Sequence, residues 1–139
     1  PRSTPRLSIS AAPDRPGGGP TTIASEDAVK YLCLVYMQEN DLNAVPDSDC
    51  MAFGESLRSS GRYLAAEALQ PVETATTVRV RDGKVSTTDG PFAETKEQLG
   101  GYLLIDVRDL NDAVRIASKF PAAQYGSIEV RPIKEGGCA

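Results

Sequence analysis

Apolar and polar positions alternate most regularly at Val29–Met37. Val29, Tyr31, Cys33, Val35 and Met37 point one way, and Lys30, Leu32, Leu34 and Tyr36 the other. Both sets are largely apolar, so this run predicts a central strand covered on two sides. A loop follows to Pro46. A helix then begins at a cap, Asp47 or Ser48, and reaches about Ser60. Cys50, Phe53 and Leu57 sit at helical spacing, and Gly61 is the stop. Arg62–Leu69 reads as a second strand, ended by Gln70-Pro71. Thr76–Arg81 and Lys84–Thr88 flank Asp82-Gly83, the signature of a hairpin with a type I′ turn.

The segment Asp89-Gly-Pro-Phe-Ala-Glu-Thr-Lys-Glu-Gln-Leu-Gly-Gly101 is more particular than a connection requires. Pro91 can open a short helix, and Gly100-Gly101 would stop it. On that reading Asp89 stands beside a helix N-terminus, where a carboxylate is stabilised. Tyr102–Val107 is the next strand. Asp109 caps a second long helix, with Asp112 at the capping-box position. Leu110, Ala113, Val114, Ala117 and Phe120 form its apolar stripe, and Pro121 ends it. Ser127–Ile133 is the last strand.

The order β-α-β, hairpin, β-α-β predicts an α+β fold. It is a ferredoxin-like antiparallel sheet with two helices on one face. Those helices leave the other apolar face of the sheet bare, which a soluble monomer does not tolerate at that size. A homodimer that lays sheet against sheet would cover it.

The remaining sequence is unlike this core. Residues 1–28 hold five of the ten prolines and the run Gly17-Gly-Gly-Pro20, with few large apolar side chains. They read as a disordered N-terminal extension without the apolar core of a signal peptide. Residues 29–134 are then the folded domain, and 135–139 a short C-terminal tail.

The chain has 139 residues, a net charge of −4 and no histidine. An acidic balance argues against a general nucleic-acid or anionic-membrane partner. No apolar run approaches the roughly 20 residues of a membrane span. The three cysteines, Cys33, Cys50 and Cys138, make no framework, which points to a reducing cytoplasm. Lack of histidine removes the commonest metal ligand and general base, so no metal or cofactor is expected.

Four stretches together resemble the YCII-related proteins, in the branch called DGPF-domain proteins. They are Ser60–Pro71, Thr74–Lys84, the Asp89–Gly101 segment and Gly126–Ile133, and the similarity runs from about Val29 to Ile133. The resemblance implies a dimeric α+β barrel and a site around Asp89. It also brings in an association of some members with extracytoplasmic-function sigma factors. Related sequences often carry a histidine where this chain has Arg62. An arginine does not shuttle protons near neutral pH, but it binds anions.

Asp89 therefore has two readings, an acid/base or ligand-anchoring carboxylate and an Asx-turn or helix cap. Gly90, Pro91 and Phe92 would wall a small-molecule cleft with Arg62, Glu67 and Tyr36. By strand parity Tyr63 and Glu67 share a face, and Glu67, among alanines and leucine, is a candidate half-buried carboxylate with a raised pKa. Tyr31, Tyr36 and Tyr102 are either pocket walls or core and interface residues. Cys33 reads as inert packing, and Cys50, near a helix start, as a thiol whose pKa can fall. Glu94, Lys96 and Glu97 would solvate the short helix or form a lid. Arg79, Arg81 and Lys84 mark a solvated hairpin tip. The functions in view are a small enzyme-like dimer, a non-catalytic binding or regulatory module, and a structural dimer.

Overall fold

The computed structural model describes residues 28–137, so the expected N-terminal extension and Cys138 lie almost wholly outside the described residues. The elements are β1 (Val29–Met37), α1 (Asp47–Ser59), β2 (Tyr63–Ala68), β3 (Thr76–Arg81), β4 (Lys84–Asp89), β5 (Gln98–Val107), α2 (Leu110–Ser118) and β6 (Ser127–Pro132). Four strands form one antiparallel sheet in the order β2-β5-β1-β6. The fold is α+β, and this order is compatible with a ferredoxin-like fold. The β3-β4 ribbon is a separate two-stranded sheet. Its turn has positive φ at both Asp82 and Gly83, as a type I′ turn demands.

The core lies under one face of the sheet. Tyr31, Cys33, Leu103, Ile105 and Val107 pack there against Leu57 of α1 and Ala113 and Ile116 of α2. A second cluster, Val35, Met37 and Ala122, continues it beneath the short 3-10 turn Pro121–Gln124. The tilted rings of Phe53 and Phe120, with centres 4.8 Å apart, link α1 to the segment that follows α2. On the other face Leu32, Leu34, Tyr36, Tyr102 and Leu104 are half-buried, and no helix among the described residues covers them.

Several local expectations change. Asp47 is the first residue of α1, not its cap, because Pro46 takes the extended conformation before it and no side chain closes the end. Only Leu57 of α1 is buried, and Cys50 is exposed. The buried face of α2 carries Asp112, Ala113, Ile116 and Ala117, while Leu110 and Val114 stay exposed. Asp109 does cap α2, its Oδ1 accepting the Asp112 N–H at 2.9 Å. Pro121 begins the following 3-10 turn, and α2 has already ended at Ser118.

No helix forms after Pro91. β5 begins at Gln98 and takes in Gly100 and Gly101. The two glycines serve the sheet. A β-carbon on Gly101 would stand 2.9 Å from the Glu67 carbonyl oxygen, so the neighbouring strand can approach only a bare backbone. Gly100 is the extra residue where the β1-β5 register shifts between Val35 and Tyr36.

Candidate functional site

The Asp89–Phe92 stretch is the root of the β3-β4 ribbon. Asp89 ends β4 opposite Thr76. Gly90 turns the chain with φ of +111°, and its N–H donates to Ala75 O at 2.7 Å. The Thr77 hydroxyl donates to Gly90 O at 2.9 Å. The ribbon base is thereby closed twice, once by backbone and once by a side chain. The Asp89 side chain is exposed, caps no helix, and has no hydrogen-bond partner among the described residues. Phe92 is 80% exposed, with the Arg79 guanidinium 5.9 Å from its ring centre.

Pro91 faces an open surface cleft of about 330 Å³ between two chain segments. One wall is Gln38, Glu39 and Asn40, the turn after β1. The other is Pro91, Glu94, Thr95, Lys96 and Gln98, with Val72 closing the side. The Gln98 side-chain amide holds the second wall, donating to Ala93 O at 3.2 Å and Thr95 O at 2.9 Å. Glu39 reaches Val72 N–H at 3.5 Å, a long contact that leaves most of its carboxylate free to accept another donor. Glu94 and Lys96, expected on a helix surface, are wall residues of an extended loop. Glu97 instead accepts the Ser127 hydroxyl at 2.8 Å and ties the loop to β6.

The other expected site residues stand elsewhere. Arg62 lies just before β2, at the far end of the strand from the cleft. Its Nη2 is 3.7 Å from Oδ2 of Asp112. The six residues of β2 separate Arg62 from Leu69, whose N–H donates to Gly100 O. At about 3.3 Å per residue, roughly 20 Å lies between Arg62 and the end of the sheet that holds the Asp89–Phe92 loop. Glu67 is exposed and pairs with Tyr102 on the helix-free face, and Tyr36 lies on that face too. Tyr63 lies on the helix face, with Arg58 stacked 4.4 Å from its ring centre. The expected shared face of Tyr63 and Glu67 fails because a bulge at Leu64 shifts the register and inverts the parity.

Asp112 is the residue whose surroundings the sequence did not disclose. It is 4% exposed and meets three guanidinium groups: Arg115 at 2.8 Å, Arg108 at 3.6 Å and Arg62 at 3.7 Å. Its capping-box spacing was visible, and Arg108 and Arg115 lie four and three residues from it, but Arg62 comes from the start of β2. On the helix-free face, Oδ1 of Asp106 is shielded from solvent without a hydrogen-bond partner, across from Lys30.

Among the described residues neither Cys33 nor Cys50 is activated. Burial pushes the Cys33 thiol up to about 11. A helix start can lower a thiol pKa, and that was the one favourable factor for Cys50. Its pKa is instead raised, by burial first and then by the Asp47 and Asp49 carboxylates. Among the described residues no three His, Cys, Asp or Glu side chains gather as metal ligands, and no helix is long and apolar enough to cross a membrane.

Known proteins bear on this arrangement. The family model for the YCII-related domain matches residues 29–136. An uncharacterized protein of Rhizobium meliloti (strain 1021) is 39% identical over 87 residues, which span 61% of this chain and 70% of that protein.

Proposed function

This chain belongs to the YCII-related family, and from that premise we propose that it acts as a homodimer that holds a small polar molecule beside the Asp89–Phe92 loop. The observation that carries the binding site is the cleft between Gln38–Asn40 and Pro91–Gln98. Its volume of about 330 Å³ falls in the range of small-ligand sites. Carboxylates at Glu39 and Glu94, the Lys96 ammonium and the amides of Gln38 and Asn40 offer both acceptors and donors. Such a lining suits a compact molecule carrying an amine or several hydroxyls rather than an apolar one.

Binding, not turnover, is the better-supported role. Asp89 stands outside the cleft lining, the chain has no histidine, and Arg62 is engaged with Asp112. The dimer is supported by the helix-free sheet face, where Leu32, Leu34, Tyr102 and Leu104 form an apolar patch. The shielded, unpartnered Asp106 oxygen on that face supports it as well, since a second chain can bring a donor.

The test is amide NMR of the full chain titrated with pools of amino acids, amines and sugars. Shifts that cluster at residues 38–40 and 91–98 and disappear in Glu39→Ala are the expected result. Pools that move none of those amides at millimolar concentration overturn the site.

A further inference from the structure

We infer that the arginine cluster around Asp112 is a second binding site, in which Arg62 and Arg108 hold the phosphate group of a small molecule. It lies at the other end of β2 from the cleft and does not rest on the function proposed above.

The cluster holds more donors than its carboxylate uses. Asp112 Oδ1 accepts Nη1 of Arg115 at 2.8 Å, and Oδ2 accepts the backbone N–H of Arg108 at 3.4 Å. The Arg108 Nε and Arg62 Nη2 atoms stand 3.6 and 3.7 Å from Oδ2, near enough to feel its charge but beyond hydrogen-bond reach. A guanidinium whose whole task is to neutralise a carboxylate closes on it with two parallel N–H bonds. These two do not, and neither fork finds another acceptor among the described residues. Their side chains are 24% and 38% exposed for Arg62 and Arg108. No nitrogen of either is sealed from solvent without a partner, so an incoming anion can reach them.

Charge favours an anion there. Three guanidiniums face the Asp112 carboxylate. Asp109 is the other carboxylate at this end of α2, and its Oδ1 already accepts the Asp112 N–H. Counting both, the cluster keeps a positive excess on a chain of net charge −4. Arg58 stacks on Tyr63, the residue after Arg62, and brings a further guanidinium to the same end of β2.

The spacing suits a tetrahedral oxyanion. Because Arg62 Nη2 and Arg108 Nε share Oδ2 as a neighbour, they lie at most about 7.3 Å apart. An oxyanion that accepts at about 2.8 Å on each side bridges a gap of that size. Phosphate has oxygens enough for two forks from different elements, and arginine is the side chain shaped to bond such a group two oxygens at a time. A carboxylate has two oxygens and satisfies one fork.

NMR of the arginine Nε–Hε groups of the full chain tests this, with inorganic phosphate, glycerol 3-phosphate and acetate titrated at constant ionic strength. Saturable shifts at Arg62 and Arg108 with low-millimolar phosphate are expected, while acetate leaves both unmoved. Tighter binding of glycerol 3-phosphate assigns the site to a phosphate ester, and tighter binding of inorganic phosphate assigns it to the free ion. Calorimetry of Arg62→Gln/Arg108→Gln should show phosphate affinity lowered at least about tenfold, and Arg79→Gln/Arg81→Gln, on the ribbon, should bind as the unaltered chain does. Resonances of Arg62 and Arg108 in the unaltered chain that stay still in both phosphates, or that move equally in acetate, overturn the site whatever the variants do.

Discussion

Arg62 sets its guanidinium 3.7 Å from the carboxylate of Asp112, and so joins the start of β2 to the first turn of α2. Arg108 and Arg115 approach the same carboxylate, which is almost fully buried. A buried carboxylate is tolerated because its charge is matched and its lone pairs are occupied. The arrangement holds both ends of a β-α connection to the sheet, and it makes Arg62 part of the scaffold.

Replacing Asp112 with Ala should therefore be costly. It strands three arginines, but each is partly exposed and can rehydrate, so the loss should be roughly 2 kcal/mol rather than the larger penalty of a fully buried pair. Thermal unfolding followed by circular dichroism should show a midpoint lowered by about 5–10 °C. Arg62→Ala should cost less than half of that. An Asp112→Ala midpoint within a degree of the unaltered chain contradicts this account.

Three glycines separate two kinds of constraint. A β-carbon on Gly126 would collide with the Tyr36 carbonyl, and one on Gly101 would meet the Glu67 carbonyl at 2.9 Å. Gly90 has open space around it but a φ of +111°. Urea titration should rank the alanine variants Gly126 worst, then Gly101, then Gly90, the last costing about 1–2 kcal/mol from backbone strain alone. A Gly90→Ala variant that is the least stable of the three reverses that order.

Asp89→Ala should leave stability within about 0.5 kcal/mol, because the side chain is exposed and no helix follows for it to cap. A drop of several degrees in the melting midpoint counts against this placement.

Alkaline pH should weaken the fold. The Cys33 thiol is raised to about 11 when folded, from an ordinary 9.0. Between those values the folded chain keeps a proton that the unfolded chain releases. The stabilisation is complete below pH 9 and is lost as pH climbs through about 11. Tyr31, raised by burial and by Asp109, acts in the same direction above pH 10. Denaturant midpoints should fall from pH 8.5 to 10.5 by an amount on the order of 1–3 kcal/mol, and Cys33→Ala should flatten the decline.

Thiol labelling at neutral pH, in a Cys138→Ser background, should modify Cys50 in the folded protein, more slowly than free cysteine. Cys33 should react only after unfolding. Rapid labelling of both thiols in the native state is incompatible with a closed core around Cys33.

The sequence by itself determined the elements whose signals are local. β1 shows in its two-residue period, the hairpin in Asp82-Gly83, and the α2 cap in Asp109 and Asp112. Each depends on residues within one or two turns of chain, where backbone geometry decides. The ordered motifs also named the family. Tertiary structure decided what depends on distant partners. Gly100 and Gly101 read as a helix stop until β2 passes against them, and the bulge at Leu64 is imposed by pairing with β5, not by its own neighbours. The cleft walls come from residues 38–40 and 91–98, brought together only because β1 ends where β5 begins. Arg62 reaches Asp112 across the fold for the same reason, whereas Arg108 and Arg115 lie within one helical turn of it in sequence. Periodicity reports which way a side chain leaves its own strand or helix, and only packing settles what it meets there.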